Sequence, residues 1–408
     1  MSGPIELPRD SDASGRDLGE EELAFVAEAL RSGTLTATKG TFVRRLERAF
    51  AEVMGVDHAV ACASGTTAVH AAVAAAGLEV GDEVITTGVT DMGAIMPILY
   101  EGAVPVFCDV DAETCLVTAA TIEACVTDRT RAVVVTHLFG TPCDMAPIVE
   151  LTQRLGLFLI EDCAQAPLAE DVGGRVGTFG QVGCFSFQQG KHMTTGEGGA
   201  VITGDPEVAA RMQKFVDKGW GYGEERPDHD FPALNGRMTE LQGAVGLAQL
   251  AKLRSVVERR RASAAWFTER LADIPGLSRP AERPGTCDSY WRLCLLVDDA
   301  VVDGGPTAIA AALADHGVAS APRYIGRPAW RTSVFRDWAA HPVTRGPYQR
   351  SGRAPAPEGG APGTEAALER LLVLPWNEHY TPEHLAFLLD ALRAAVASTV
   401  TPTVGADG

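Results

Sequence analysis

Short, apolar, β-prone runs alternate with helical segments between residues 58 and 203, and this alternation restricts the possible folds more than any other feature. The runs carry few polar side chains, so strands built from them need cover on both faces. A parallel sheet between two layers of helices provides that cover. The predicted strands are 58–63, 83–87, 104–110, 132–136, 157–161, 182–187 and 200–203, and the predicted helices are 20–32, 41–54, 67–76, 118–125 and 144–155.

The pattern changes after Glu240, where apolar positions at helical spacing predict one long helix over residues 241–271. The elements predicted after it are a strand over 291–298 and helices over 307–316 and 382–398.

We therefore predict the α/β class, with a three-layer αβα large domain around a mostly parallel sheet and a smaller C-terminal α+β domain. Pro, Gly and Arg are frequent in residues 341–364, which predicts an exposed loop or lid. The predicted divisions are an N-terminal extension (1–20), the large domain (21–255), the small domain (256–400) and a disordered tail (401–408).

Charge and cysteine content exclude several classes of partner. With 35 Lys+Arg against 53 Asp+Glu, the 408-residue chain has a formal net charge of −18, which disfavours nucleic acid and anionic membranes. The first twenty residues do not resemble a signal peptide, and no stretch is apolar enough for a membrane span. Nine scattered cysteines without a C-x-x-C pair predict free thiols in a cytoplasmic protein, with no metal site.

The segment Ala63-Ser64-Gly65-Thr66-Thr67 lies where a predicted strand passes into a predicted helix. Small residues there let backbone N–H groups approach an anion, and a helix N-terminus favours negative charge, so the segment suits a phosphate. A simple Ser/Thr helix cap explains the same residues about equally well. No G-x-G-x-x-G follows a strand, which disfavours a nicotinamide dehydrogenase.

Asp162 and Lys191 are two further candidate functional residues. Asp162 ends an apolar strand, at the sheet edge where α/β proteins bind ligands, although it could instead cap the next helix. Lys191 follows another strand beside Gly190, where burial would make its amine nucleophilic, although a solvated loop lysine is the simpler interpretation of that motif alone. Phosphate cradle, acid and lysine together form the set that pyridoxal phosphate requires.

At these residues the sequence resembles the DegT/DnrJ/EryC1/StrS family of sugar and cyclitol aminotransferases, in the fold-type I pyridoxal phosphate class. The similarity runs in order from about Glu20 to Leu392. The segments that carry it are LRSGTLT, ASGTTAVHAA, GDEVI, GAVPVFCDVD, THLFGTPCDM, IEDCAQA, GCFSFQQGKHMTTGEGG and NGRMTELQGAVGLAQL.

The resemblance implies a role for each matching residue. Lys191 would form the imine with pyridoxal 5'-phosphate and later move the substrate proton. Asp162 would pair with the pyridine nitrogen, and Gln165 would lie near the phenolic oxygen. The residues implied to hold the phosphate are Gly65, Thr66, Ser186 and, from the neighbouring subunit, Asn235. The family's shared sites imply a homodimer.

Three positions depart from the family pattern. Asp91 stands where the family usually has an aromatic residue that stacks on the cofactor, so a polar or cationic substrate group could face it. Gly236 replaces the tyrosine of N-Y-R-M. His192 follows the lysine, and since the lysine itself is retained, we interpret it as a local structural residue. Further substrate candidates are Arg237, which could bind a donor carboxylate or simply pair with a surface acid, and Tyr324, whose segment is at least as well explained as a solvated basic turn.

These features predict a transaminase that moves an amino group from glutamate or glutamine to a keto-sugar, ketocyclitol or related carbonyl compound by a ping-pong mechanism. One alternative is an eliminating, cyclising or aromatising enzyme similar to 3-amino-5-hydroxybenzoate synthase, since Asp91 has replaced the stacking aromatic residue. Another alternative is a non-catalytic sensor or regulator on the same fold. Nucleotide-linked sugar, free sugar and cyclitol all stay open as the acceptor.

Overall fold

The computed structural model describes residues 5–337 and 346–399, which form two sheets and their covering helices. The strands are β1 (His58–Cys62), β2 (Glu83–Thr87), β3 (Val104–Cys108), β4 (Thr130–Thr136), β5 (Phe158–Asp162), β6 (Glu170–Asp171), β7 (Gly174–Arg175), β8 (Val182–Ser186), β9 (Gly199–Thr203), β10 (Leu277–Ser278), β11 (Arg292–Val297), β12 (Ala321–Pro322) and β13 (Leu371–Pro375). The helices are α1 (Glu20–Ser32), α2 (Phe42–Met54), α3 (Gly65–Ala75), α4 (Met96–Tyr100), α5 (Ala119–Glu123), α6 (Met145–Leu155), α7 (Pro206–Phe215), α8 (Glu240–Leu271), α9 (Gly305–Asp315), α10 (Ser333–Arg336), α11 (Gly346–Ser351), α12 (Pro362–Arg370) and α13 (Pro382–Thr399).

The large sheet has seven strands in the order β1-β9-β8-β5-β4-β2-β3. β9 pairs antiparallel with both of its neighbours, and the pairs from β8 to β3 are all parallel. This confirms the predicted α/β class with a mostly parallel sheet. The carboxyl ends of β2, β5 and β8 consequently share one edge of the sheet.

Alternate residues of the central strands pack on opposite faces, which explains why the sequence reads as continuous apolar runs. Ala132 and Val134 of β4 pack in a cluster with α3 and α7. Val133 and Val135 pack in another cluster with α6. Each strand is therefore buried on both sides, and helices form the outer layers.

The helix α8 runs from the large sheet to a second, four-stranded sheet with the order β10-β11-β13-β12. Its pairs are antiparallel, and α9 and α13 cover it around a separate core that includes Phe267, Leu295 and Trp376. Two cores agree with two domains, and the division at residues 255/256 stays a prediction. Among the described residues, every helix is too short or too polar to cross a bilayer.

The interpretation of residues 341–364 as an exposed loop is correct for residues 352–360, which are irregular and exposed or half-exposed, but wrong for the rest of the described part. α11 lies within it, α12 begins before its end, and the Tyr348 side chain is only 2% exposed. The Tyr348 hydroxyl donates to the Pro105 carbonyl at 2.5 Å, and its ring packs edge-on against Phe335. The packing of one aromatic side chain therefore fixes part of a segment whose Pro- and Gly-rich composition predicts an exposed loop. Residues 338–345 and the predicted disordered tail, 401–408, lie outside the described residues.

Candidate active site

A cavity of about 410 Å³ opens at the carboxyl edge of the large sheet, beside the N-terminus of α3. All but two of the site residues predicted from the sequence line it. Those lining residues are Gly65, Thr66, Asp91, Asp162, Gln165, Ser186, Lys191 and Tyr324. Residues from distant parts of the chain thus meet at the edge where the parallel strands end.

One end of the cavity is formed by the first turn of α3. Ser64 caps the helix, with Oγ accepting from Thr67 N at 3.1 Å, so the helix-cap interpretation is correct for this residue. The N–H groups of Gly65 and Thr66 belong to the first turn and have no carbonyl partner within the helix. A Cβ atom at Gly65 would lie 2.7 Å from the Ser186 Cβ, a clash that costs about 1–3 kcal/mol to relieve. Glycine therefore lets α3 approach β8 closely enough to form an anion cradle.

Lys191 is half-buried at the cavity wall, with Nζ 4.1 Å from the centroid of the Trp291 ring. Burial lowers the pKa of this amine to about 8, although the carboxylates of Asp162 and Asp91 oppose that shift. A larger share of this amine is therefore neutral near physiological pH than for an ordinary lysine, although the protonated form still predominates, and the neutral amine is the nucleophilic form.

Asp162 ends β5 and is 6% exposed. Burial raises the pKa of its carboxyl, while the Ala164 N–H, which donates to Oδ1 at 3.0 Å, and the charge of Lys191 oppose the rise. A buried carboxylate at this place is stabilised by a cationic partner.

Gln165 connects two walls of the cavity. Its Oε1 accepts from Phe139 N at 2.7 Å, and its Nε2 donates to the Tyr324 hydroxyl at 3.5 Å. Tyr324 and its neighbour Arg323 have positive φ angles of 49° and 58°, which L-residues adopt rarely and which mark strained, functional turns. Burial also raises the pKa of Tyr324 to about 12, so its hydroxyl stays protonated and available as a donor.

Asp91 is exposed at the cavity wall and opens the 3₁₀ turn Met92–Ala94. Its Oδ1 accepts from Gly93 N at 2.7 Å, which fixes the carboxylate in the cavity. His192, in contrast to the exposed Asp91, is buried. Its Nε2 hydrogen-bonds to the Ser289 carbonyl at 2.9 Å, and burial lowers its pKa. These contacts agree with His192 as a structural residue.

Asn235 and Arg237 are the two predicted residues that do not line this cavity. Arg237 pairs with Asp217 and lines a different cavity, of about 300 Å³, together with Trp220 and Tyr222. Asn235 Oδ1 accepts from the backbone N–H of Arg237. Within one chain they do not meet Lys191: the role of Asn235 from a neighbouring subunit stays a prediction, and Arg237 pairs with an acidic residue, as its simpler interpretation expects.

The buried side chains of His137, Glu161 and Cys163 lie close enough to hold a metal ion. The Glu161 carboxylate, however, accepts from the backbone N–H groups of Gly177, Phe179 and Gly180 at 2.7 Å each, and from His137 at 3.1 Å. This acid is satisfied by backbone donors, and its function is to hold the turn before β8.

The sequence interpretation missed two residues that contact the lysine loop. The Trp291 ring lies beside Lys191, and its Nε1 donates to the Gly190 carbonyl at 2.8 Å. The Arg16 guanidinium donates to the Lys191 carbonyl at 2.6 Å. Neither belongs to a local motif, and sequence spacing gives no signal for a contact across 175 residues.

Known proteins resemble this chain over most of its length. It is 38% identical over 277 residues to GDP-perosamine synthase of Escherichia coli O157:H7, covering 68% of this chain and 75% of that protein. It is also 38% identical over 325 residues to L-glutamine:2-deoxy-scyllo-inosose aminotransferase of Streptomyces fradiae, covering 76% of each. The crystal structure of the aminotransferase TlmJ from Streptoalloteichus hindustanus matches with a TM-score of 0.81 at 31% identity, over 94% of this chain and 98% of that one.

The fold and its cavity lysine define an enzyme of the fold-type I aminotransferase class. Residues 16–393 match the DegT/DnrJ/EryC1/StrS aminotransferase family, and the chain belongs to that family. The resemblance noted in the sequence is thereby confirmed, and the family implies dependence on pyridoxal phosphate.

Proposed function

We propose that this chain binds pyridoxal 5'-phosphate at Lys191 and transfers an amino group from glutamate or glutamine to a keto-sugar, a ketocyclitol or a related carbonyl compound. The observation that carries the proposal is the half-buried lysine, with its lowered pKa, in one cavity with Asp162 and the N-terminus of α3. Free thiols at all nine cysteines fit a reaction in the reducing cytoplasm.

The residues present fit this cofactor, because the close approach of Gly65 to Ser186 leaves a cradle for an anion at the end of α3. When bound, pyridoxal phosphate supplies an aldehyde for the amine and a ring that withdraws electrons from the reacting carbon. Lys191 binds the group and then moves the proton at the substrate carbon. Asp162 holds the proton on the ring nitrogen. The Gln165–Tyr324 pair limits movement at the opposite wall.

Apart from the N-terminus of α3, the side chains of the cavity wall carry more negative than positive charge. Asp91, Asp162 and Glu197 contribute negative charge, and Lys191 is the only lysine or arginine among the described lining residues. Asp91 is free to accept from a hydroxyl or an ammonium group of the acceptor. The names of the two relatives support a keto-sugar or ketocyclitol acceptor for this chain as well.

A homodimer with shared active sites completes this proposal. Leu23 and Leu30, seven residues apart on α1, are 63% and 55% exposed, and Leu234 beside Asn235 is 73% exposed. Two such side chains two turns apart on one helix are a candidate association surface, and we propose that a second chain covers it. We expect light scattering to give twice the mass of one chain, and Leu30→Asp to shift the protein toward monomer and lower its activity. A fully active monomer would contradict the shared site.

The function is tested with the purified full chain and pyridoxal phosphate. We expect a yellow protein whose colour fades when glutamate or glutamine is added and returns when a keto acceptor follows. The acceptors to compare are a neutral ketocyclitol, its amino-substituted form and a nucleotide-linked keto-sugar. A protein that stays colourless with added cofactor would exclude the proposal.

Elimination or aromatisation remains a second candidate, because Asp91 cannot stack on the cofactor ring as an aromatic side chain would. Nitrogen-15 in the donor separates the two reactions. Amino transfer carries the label into the product, whereas elimination releases or retains the nitrogen without moving it between molecules.

A further inference from the structure

Residues 5–19, here called the N-terminal strap, cross the junction between the two sheets next to the catalytic lysine. Gln189, in the lysine loop, donates from Nε2 to the Asp10 carbonyl at 2.9 Å. Asn377, which follows β13 in the second sheet, donates from Nδ2 to the Gly15 carbonyl at 3.1 Å. The strap is therefore hydrogen-bonded to both domains rather than being a separate extension.

Arg16 joins the strap to the main chain of Lys191. The arginine is 7% exposed, and its Nη1 donates to the Lys191 carbonyl at 2.6 Å. Its Nε donates to the Asp10 carbonyl at 3.0 Å, and its Nη2 lies 3.0 Å from the Asp10 carboxylate. One buried guanidinium thus fixes the lysine backbone relative to the strap.

Asp10 lies at the centre of a charge network. Its carboxylate pairs with Arg292 at 2.7 Å, accepts from Asn377 at 2.7 Å and lies 3.4 Å from Arg260. Arg260 is fully buried and pairs in addition with Glu378 at 2.6 Å. A buried cluster of three arginines is stable only with such carboxylate partners.

We propose that Asp10 and Arg16 are positioning residues for Lys191. Arg16 fixes the lysine through its carbonyl, and Asp10 holds Arg16 in place and offsets the charge of Arg292 beside the amine. This assignment rests on the proposed function of Lys191 as the residue that binds pyridoxal phosphate.

The charges that face the Lys191 amine come from four parts of the fold. Asp162 at the end of β5, Asp91 after β2 and Asp10 of the strap raise the pKa of the lysine, whereas Arg292 of β11 and burial lower it. Removing the charge of Asp10 leaves Arg292 without its partner. The pKa of the lysine should then fall below about 8.

The first experiment measures this charge effect in the full chain after the cofactor has been removed. Acetylation of Lys191 by acetic anhydride is followed by mass spectrometry over a range of pH, with exposed Lys39 as the internal reference. For the unaltered chain we expect a midpoint near pH 8. Asp10→Asn should lower that midpoint by about half a unit or more.

The second experiment measures the backbone effect as affinity for pyridoxal phosphate. Arg16→Met removes the donor to the Lys191 carbonyl and should weaken binding about tenfold, the size expected for loss of a charged hydrogen bond. Its acetylation midpoint should stay near that of the unaltered chain. Arg16→Lys retains a donor and should recover part of the affinity, which a purely space-filling role would not predict.

Arg283→Met is the matched control. Arg283 also joins a carboxylate to a carbonyl, since Nη2 lies 2.6 Å from Asp171 and donates to the Cys143 carbonyl at 2.9 Å. We expect this variant to keep both the midpoint and the affinity, whatever it does to the melting temperature.

An unchanged midpoint in Asp10→Asn, or equal loss of affinity in Arg283→Met and Arg16→Met, would overturn the assignment. If Arg16→Met does not fold, Asp10→Asn and Arg16→Lys still decide it. Acetylation needs no amino donor or acceptor, so the two proposals are tested separately. The positioning roles of Asp10 and Arg16 can be disproved in a protein that transfers amino groups, and the midpoint shift can be observed in a protein that does not.

Discussion

Lys191→Met is expected to lower the rate of amino transfer by about 10³-fold or more. Methionine has a similar length but no amine, so the variant loses both the group that binds the cofactor and the base that moves the proton. The amine that it removes is that of the cavity lysine, whose pKa is lowered to about 8. The measurement is a single-turnover assay with labelled glutamate, together with the absorbance of the bound cofactor.

Lys39→Met provides the control, because Lys39 is exposed and lies outside the cavity. It should retain the full rate and the yellow colour. A Lys191→Met protein that transfers amino groups as fast as Lys39→Met would show that the reacting amine lies elsewhere.

Asp162→Asn is expected to lower kcat by about 10²- to 10³-fold. The amide has the shape of the carboxyl but no negative charge, so it cannot hold a proton on the ring nitrogen of the bound cofactor. The carboxyl lies at the end of β5 and is 6% exposed, so water replaces it poorly. Steady-state kinetics with saturating cofactor measure the loss, and affinity for the cofactor phosphate should change much less.

Asp171→Asn tests whether any buried carboxyl would give the same result. Asp171 is 3% exposed, accepts from Met145 N at 2.8 Å and pairs with Arg283. We expect a lower melting temperature with kcat per folded molecule unchanged. Equal losses of kcat in the two variants would assign Asp162 to structure rather than to chemistry.

The fold was largely predictable because its strands are buried on both faces. β2 has the predicted bounds, and β1, β3, β4, β5, β8 and β9 differ from their predictions by one or two residues. Helix ends were equally clear where a left-handed glycine follows, as at Gly33 after α1, with φ of 69°. Local patterns fix such elements because the same residues determine both the periodicity and the end.

Long-range contacts left no such pattern. Trp291 and Arg16 contact the lysine loop from the second sheet and from the strap, and residue spacing carries no information about either. The burial of Tyr348 could not be predicted for the same reason, since its hydrogen-bond partner Pro105 lies 243 residues away in the sequence. The role of Asn235 stays a prediction because it depends on the surface of a second chain, and the proposed contact of Arg237 with a donor carboxylate stays a prediction as well.

The strap also sets the order in which the site can be completed during synthesis. Asp10 and Gly15 are synthesised before the lysine loop, but their partner Asn377 follows them by 367 and 362 residues. The large sheet can form earlier, since domains fold as their residues emerge. The hydrogen bonds of Asn377 to Asp10 and Gly15, however, can form only after residue 377 has been made, so a product that ends before it would carry Lys191 without that part of the strap's contacts.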